Sequence, residues 1–108
     1  MTVFEISIDT YKESPESYDL VDIRRADEYH KGHISAIRHV PLETMFVDFL
    51  EATSAAGSQD KVYLFVCARG QRSLHAALLA HDMGVRGVSL KGGMLAWAHA
   101  GLGVVVEV

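Results

Sequence analysis

The sequence predicts a single α/β domain spanning residues 1–108, with a central, mostly parallel five-stranded sheet flanked by helices on both faces. Three observations predict this class. Strand-like apolar segments alternate with segments of helical spacing along the chain. Residues 62–67 are six consecutive apolar residues, which is typical of a central parallel strand covered on both faces. A chain of 108 residues is long enough for one hydrophobic core and too short for two.

The first half of the chain predicts three short strands, over residues 3–8, 20–23 and 37–40. Apolar and polar side chains alternate in the first of these, as in a half-buried or edge strand. Two helices are predicted as well, over residues 26–31 and 42–55. The second of them carries its apolar side chains at the spacing of an amphipathic helix.

The second half predicts strands over residues 62–67, 88–90 and 104–108, and helices over residues 73–83 and 94–100. Parallel sheets bind ligands beyond the carboxyl ends of their strands. The single cysteine of the chain lies at that end of the most buried strand, so we expect the functional site there.

The composition is that of an ordinary globular protein, with 49% apolar and 22% charged residues. A single cysteine excludes an internal disulfide and a four-cysteine metal site. The net charge of −4 argues against general nucleic-acid binding, and the longest apolar run, residues 62–68, is far too short to span a membrane. No signal peptide is visible at the start. We therefore expect a cytoplasmic protein that binds neither nucleic acid nor membrane.

The net charge conceals an asymmetry between the two halves of the chain. Residues 1–60 carry a charge of −7 and residues 61–108 a charge of +3. Arg69 and Arg72 lie within a stretch, residues 61–81, that has no carboxylate. Such a bias is typical of a region that handles anions.

The chemistry is predicted to lie in the loop between the most buried strand and the helix that follows it. The loop residues are Cys67, Ala68, Arg69, Gly70, Gln71, Arg72 and Ser73. Successive backbone N–H groups in such a loop form an anion-binding nest, and the helix N-terminus adds partial positive charge. Gly70 permits the positive φ that a tight turn needs. We expect these donors and Arg72 to lower the pKa of the Cys67 thiol and to hold an anionic substrate.

A second interpretation treats these residues as structural. Cysteine often fills a small core position at the end of an apolar strand, and Arg69 and Arg72 could be solvated surface side chains. The strand–loop–helix context, together with Gly70 and the missing carboxylates, favours a reactive Cys67.

Four ordered segments resemble those of the rhodanese family of sulfurtransferase domains, and the resemblance covers almost the whole chain. The segments are V-D-I-R at 21–24 with Glu28 and G-H-I at 32–34, H-V-P-L at 39–42, C-A-R-G-Q-R-S at 67–73, and L-K-G-G at 90–93 with Trp97. The third matches the family's active-site pattern, C-x-x-G-x-R-S. The chain departs from the family at residues 35–37, where S-A-I replaces the usual Pro-Gly-Ala. We expect this departure to affect a local turn and not the chemistry.

The resemblance implies a rhodanese-type thiosulfate sulfurtransferase that works through a persulfide on Cys67. The Cys67 thiolate would attack the outer sulfur of thiosulfate, or of a related small anionic donor, and expel sulfite. Cyanide, a thiol or a sulfur-carrier protein would then accept the sulfur. Residues 68–73 would bind the donor, with Arg72 stabilising its charge and Arg69 tuning donor choice. No cofactor and no metal is required.

Three other functions compete with this one. Cysteine phosphatases of related loop design place five residues between cysteine and arginine, whereas four separate Cys67 from Arg72, a smaller loop that suits a sulfane sulfur better than phosphate. A metal site at His30, His33 and His39 lacks a carboxylate or cysteine to complete it. The main alternative is a persulfide carrier or regulatory module that delivers sulfur to a protein partner without efficient thiosulfate turnover, since the single cysteine leaves no internal resolving thiol.

Structural roles are predicted for several residues of the resembling segments. Asp22 and Arg24 are expected to form an ion pair that fixes the first loop. His33 is expected to serve as a hydrogen-bonding structural residue. Gly92 and Gly93 are expected to let the backbone pack closely against the active loop.

Overall fold

The structure, a computed structural model, describes residues 3–57 and 59–106 of the chain. Within these ranges one sheet is built from the strands β1 (Glu5–Ile6), β2 (Tyr18–Asp22), β3 (Arg38–His39), β4 (Val62–Val66) and β5 (Gly87–Leu90). The strands lie in the order β1-β5-β4-β2-β3, and every neighbouring pair is parallel. The predicted five-stranded sheet is confirmed, and β4 is its central strand.

In the described ranges, four helices connect successive strands and a fifth follows β5. They are α1 (Ile8–Glu13), α2 (Ala26–Lys31), α3 (Phe46–Ala56), α4 (Gln71–Asp82) and α5 (Gly93–His99), with a 3₁₀ turn at Pro15–Ser17. The predicted helix over 26–31 has the bounds of α2. Helix α4 begins two residues earlier than predicted, so Gln71 and Arg72 lie in its first turn.

Buried side chains cover both faces of the sheet, because successive residues of β4 point to opposite sides. Phe65 belongs to one buried cluster together with Phe46 of α3. Leu64 and Val66 belong to a second cluster, which includes Trp97 of α5. The side chains of the central strand are therefore buried on both faces of the sheet, as its apolar run predicts. The loop that follows begins directly at the end of this packed strand.

The predicted strand over residues 3–8 is wrong in its extent. Only Glu5–Ile6 is strand, because the Ser7 side chain accepts a hydrogen bond of 3.1 Å from the Thr10 backbone N–H and so caps α1. Neither α1 nor the 3₁₀ turn was expected from the alternating pattern. The Ser7 side chain gives a partner to an N–H group in the first turn of α1 and so stabilises the start of the helix. This stabilisation outweighs the preference of the alternating pattern for a strand.

The predicted strand over residues 104–108 is also not formed as expected. Within the described residues, Val105 makes a single antiparallel bridge to His33, with N–H···O distances of 2.9 and 2.7 Å. The last two positions of the predicted strand, Glu107 and Val108, lie outside the described residues. The segment around Val105 thus pairs with the loop after α2 and does not extend the sheet.

The departure from the family pattern at residues 35–37 falls in a tight turn. The Ile37 N–H donates to the Ile34 carbonyl at 3.2 Å, and Ala36 has a φ of +60°. A non-glycine residue in this region is strained, because its Cβ lies too close to the backbone. The departing residues thus form a turn on the protein surface, and the expectation that the departure leaves the chemistry unaffected stays a prediction.

No helix in the described ranges is both long and apolar enough to cross a membrane.

Candidate active site

Cys67 directly follows β4, and its side chain is buried, with 1% of its surface exposed. The loop that begins there turns sharply at Gly70, whose φ is +95° and which precedes the first residue of α4. A Cβ at Gly70 would lie 2.8 Å from the Gly92 nitrogen. The expected positive φ at Gly70 is confirmed, and the close approach of Gly92 adds a second reason for glycine there.

Three hydrogen-bonding groups surround the Cys67 sulfur. The backbone N–H groups of Gly70 and Ser73 donate to Sγ at 3.1 and 3.3 Å. The Ser73 hydroxyl oxygen lies 3.3 Å from the same atom. Burial raises the pKa of the Cys67 thiol, but the bonds from the Ser73 side chain and from the backbone of Ser73, Gly70 and Arg69 outweigh it, so the pKa lies below its ordinary value. The nest predicted from the sequence is present around the sulfur.

A buried serine on the neighbouring strand completes this arrangement. The Ser89 hydroxyl of β5 lies 2.6 Å from that of Ser73 and donates to the Gly70 carbonyl at 3.4 Å. When Cys67 is a thiol, its S–H donates to Ser73, which in turn donates to Ser89. When Cys67 is a thiolate, the Ser73 hydroxyl donates to the sulfur, and the single hydrogen of Ser89 goes either to the Ser73 oxygen or to the Gly70 carbonyl. Sequence reasoning did not identify Ser89, since nothing near it in the chain marks it.

The first turn of α5 holds the loop from the other side. The N–H groups of Met94 and Leu95 donate to the carbonyls of Cys67 and Ala68 at 2.8 and 3.1 Å. A Cβ at Gly93 would lie 2.2 Å from the Cys67 carbonyl oxygen. The prediction of close backbone packing by the glycine pair is confirmed. Because the carbonyl groups of Cys67 and Ala68 bond to α5, the N–H groups of the loop can face the sulfur.

The remaining loop side chains form the wall of a small cavity. It measures about 160 Å³ and is lined by Cys67, Ala68, Arg69, Gln71 and Arg72. All seven residues singled out from the sequence therefore lie together, five of them at the cavity and two, Gly70 and Ser73, bonded to the sulfur. The Arg69 and Gln71 side chains are exposed at the mouth.

Arg72 has a partner that the sequence did not reveal. Its guanidinium donates two hydrogen bonds, of 2.7 and 2.9 Å, to the two carboxylate oxygens of Glu28, in α2. This pairing raises the pKa of Arg72 and lowers that of Glu28 to about 2. The sequence predicts that this guanidinium helps to stabilise the thiolate. It is bonded to a carboxylate, and it acts on the Cys67 charge only through space.

Asp22 and Arg24 form the expected buried ion pair. The Arg24 guanidinium contacts both Asp22 carboxylate oxygens, the shortest distance being 2.8 Å, and donates to the Gly32 carbonyl at 2.7 Å. The pair thereby ties the end of β2 to the end of α2 and fixes the element that carries Glu28. The prediction of a structural ion pair at this position is confirmed.

The rings of all three histidines considered as a metal site contact Tyr29, that of His30 edge-on at a centroid distance of 5.6 Å. The rings of His33 and His39 both stack on the Tyr29 ring, at centroid distances of 3.8 and 4.0 Å. The His33 Nδ1 atom lies 2.9 Å from the Tyr29 carbonyl, and the His39 Nε2 atom lies 2.8 Å from the Arg24 carbonyl. Across residues 3–57 and 59–106, no three His, Cys, Asp or Glu side chains are grouped to hold a metal ion.

Comparison with known proteins agrees with this fold and loop. The sequence profile of the rhodanese-like domain matches residues 7–100. The chain therefore belongs to the rhodanese-like family, whose domains share the single α/β architecture described above.

Curated relatives carry names from sulfur chemistry. The chain is 31% identical over 100 residues to YtwF of Bacillus subtilis, named a sulfurtransferase, covering 90% of this chain and 92% of YtwF. It is 31% identical to YrkF of the same organism, named a sulfur carrier protein, over 86% of this chain and half of YrkF. It is 38% identical over 79 residues to the thiosulfate sulfurtransferase GlpE of Pseudomonas paraeruginosa, over 72% of this chain and 67% of that protein.

Solved structures match along nearly the full length. The crystal structure of a rhodanese-related protein from Thermoplasma volcanium superposes with a TM-score of 0.76 at 27% identity, and the match covers 96% of this chain and 99% of that one. The fold predicted from the sequence is thus the fold of the family.

Proposed function

We propose that this protein is a sulfurtransferase that moves a sulfane sulfur from thiosulfate or a related small donor to an acceptor through a persulfide on Cys67. The acceptor is cyanide in an assay and a thiol or a sulfur-carrier protein in the cell. The observation that carries the proposal is the set of three hydrogen bonds at the Cys67 sulfur, two from the backbone N–H groups of Gly70 and Ser73 at 3.1 and 3.3 Å and one with the Ser73 hydroxyl at 3.3 Å.

The first step forms one bond and breaks one. The Cys67 thiolate attacks the outer sulfur of the donor, the S–S bond of the donor breaks, and its electron pair leaves with sulfite when the donor is thiosulfate. The N–H groups of Gly70 and Ser73 are placed to stabilise the sulfur anion before the attack. The lowered pKa of Cys67 favours the thiolate, which is the form that attacks the donor.

The second step returns the enzyme to its starting state. The acceptor attacks the terminal sulfur of the Cys67 persulfide, and the electron pair of the S–S bond returns to Sγ. The cavity wall made by Ala68, Arg69 and Gln71 is the surface that an acceptor meets first. The Arg69 side chain, exposed at the mouth, is assigned the role of tuning which small molecules approach.

The test is cyanolysis, with the wild type compared with Cys67→Ser. Incubation with thiosulfate and cyanide is expected to yield thiocyanate with the wild-type protein and only the uncatalysed background with Cys67→Ser. Ser54→Ala is the matched control, because Ser54 is an exposed residue of α3 away from the loop. Thiocyanate production by Cys67→Ser at the wild-type rate would refute the proposal.

A second candidate function is sulfur delivery to a protein without efficient thiosulfate turnover. The name of the relative YrkF, a sulfur carrier protein, favours it, as does the single cysteine, which leaves no thiol in the chain to resolve the persulfide. The two functions differ in the second step. Fast multiple-turnover cyanolysis supports the enzyme, whereas a persulfide that forms on Cys67 but discharges slowly to cyanide and small thiols supports the carrier.

A further inference from the structure

We propose that Glu28 makes this site select the persulfide of a thiol over thiosulfate as its sulfur donor, because the Glu28 carboxylate neutralises the Arg72 cation that a dianionic donor needs. The inference rests on the proposed function and deepens it by naming the class of donor.

The Glu28–Arg72 contact is an ion pair with two hydrogen bonds between half-buried partners. The distances are 2.7 and 2.9 Å, and the two side chains are 21% and 29% exposed. A bidentate pair of this kind is stronger than a single contact between exposed charges. Because the pKa of Glu28 is about 2, its carboxylate stays charged at every pH at which the protein would work.

Glu28 is also held from the side of its own helix. Its carboxylate accepts a hydrogen bond of 3.2 Å from the Arg25 backbone N–H, which closes the N-terminus of α2, and the Arg25 guanidinium lies 3.8 Å away. The anchored Asp22–Arg24 pair fixes the end of the preceding strand. Glu28 therefore cannot leave Arg72 without losing these contacts, and an incoming anion must compete with a preorganised carboxylate.

The charges around the sulfur do not favour a dianion. Arg72 is compensated by Glu28, and Glu43 acts on it through space as a second carboxylate. Arg69 is a further cation of the loop, but it is exposed and therefore screened by salt. The reactive form of Cys67 adds a negative charge of its own. Thiosulfate would add two further negative charges next to the Cys67 thiolate.

A thiol persulfide presents the same electrophilic outer sulfur: its reacting form, R–S–SH, is neutral, and its ionised form carries one negative charge, against the two of thiosulfate. The step Cys67–S⁻ + R–S–SH → Cys67–S–SH + R–S⁻ balances in atoms and charge. A bond forms between Sγ and the outer sulfur, the donor S–S bond breaks, and its electron pair leaves on the thiolate R–S⁻. The small cavity of about 160 Å³ takes the two sulfur atoms, and the R group stays over the rim formed by Ala68 and Gln71.

The experiment measures single-turnover formation of the Cys67 persulfide with two probes, thiosulfate and the persulfide of N-acetylcysteine methyl ester, which has no charge besides that of the persulfide group. The proteins are the wild type, Glu28→Gln, and Glu13→Gln as a control that removes the same charge from an exposed position of α1. We expect Glu28→Gln to raise the second-order rate constant for thiosulfate about tenfold and to raise that for the persulfide, which carries at most one negative charge, by no more than about threefold. Glu13→Gln should change neither.

The wild-type protein supplies a second measurement that needs no variant. Its rate constant for thiosulfate should stay level or increase as ionic strength rises, because the site does not attract a dianion. In Glu28→Gln the same rate constant should fall with rising ionic strength, because Arg72 is then uncompensated. A wild-type rate constant that falls steeply with salt would overturn the inference.

The remaining outcomes separate this inference from the proposed function. Equal changes with both donors in Glu28→Gln, or a lower rate with thiosulfate, would show that Glu28 only supports the fold of the loop, and would overturn donor selection while leaving sulfur transfer intact. If neither donor places sulfur on wild-type Cys67, the proposed function itself fails.

Discussion

The hydroxyl oxygens of Ser73 and Ser89 lie 2.6 Å apart, both fully buried, and the Ser73 oxygen is also 3.3 Å from the Cys67 sulfur. Buried hydroxyls in such a chain orient one another, because each can donate only one hydrogen. The direction of the Ser73 hydrogen is therefore coupled both to the protonation of Cys67 and to the Ser89 hydroxyl.

Ser89→Ala is expected to raise the pKa of the Cys67 thiol, because a partner that directs the Ser73 hydrogen to the thiolate is lost. The thiolate fraction at neutral pH then falls, and alkylation by iodoacetamide slows about two- to fivefold. The measurement is the alkylation rate against pH, which for the wild type should titrate below the ordinary thiol value. Ser54→Ala should leave this pH profile of alkylation unchanged. An unchanged profile for Ser89→Ala would show that Ser89 does not affect the pKa of Cys67.

Glu28→Gln is expected to lower the free energy of unfolding at neutral pH by about 1 kcal/mol, because a half-buried bidentate ion pair is lost. The pKa of Glu28 in the folded protein is depressed from 4.5 to about 2. The stabilisation is thus complete above the ordinary carboxyl pKa and disappears as the pH falls toward 2. Urea unfolding of both proteins from neutral to acidic pH tests this. If the difference in unfolding free energy between the two proteins stays constant over that pH range, the predicted lowering of the Glu28 pKa in the folded protein is contradicted.

Ala36→Gly is expected to raise the free energy of unfolding by about 0.5 to 1 kcal/mol, because glycine relieves the strain of a φ of +60° at a cost in the entropy of the unfolded chain. Ala52→Gly is the matched control, since the same change at an exposed position in the middle of α3 should instead destabilise by about 0.5 to 1 kcal/mol. Urea unfolding of the two variants should therefore give opposite signs. Destabilisation by both would show that the turn at Ala36 is not strained.

Gly93→Ala is expected to reduce thiocyanate formation by about tenfold or more, because its Cβ would stand 2.2 Å from the Cys67 carbonyl oxygen and displace the loop. Gly103→Ala is the control, since nothing lies within 4 Å of a Cβ at that position. Cyanolysis by purified variants is the readout. Wild-type activity in Gly93→Ala would mean that the loop tolerates the displacement.

The parts of this molecule that the sequence predicts are local or periodic. The buried strand β4 follows from a run of apolar residues, and the nest around Cys67 follows from a loop in which Gly70 and Ser73 lie within six positions of the cysteine. Helix α1 was missed because the alternation in residues 3–8 matches a strand, while the Ser7 cap that ends the strand acts through one hydrogen bond.

The long-range partners could not be predicted in the same way. Glu28 lies 44 positions before Arg72, and Ser89 lies 16 positions after Ser73. Neither pair leaves a periodic or spacing signal in one sequence, because the contact depends on how α2 and β5 pack beside the loop. For the same reason the sequence predicts that Arg72 is available to an anionic substrate, whereas the structure pairs it with the Glu28 carboxylate.

The most direct test of the central claim is the mass of the Cys67 peptide after the protein has been incubated with a sulfane donor and freed of it. We expect a gain of about 32 Da, one sulfur atom, on the peptide that contains Cys67. The gain should disappear on treatment with cyanide or a reducing thiol. A Cys67 that remains unmodified with both thiosulfate and a thiol persulfide would contradict the account.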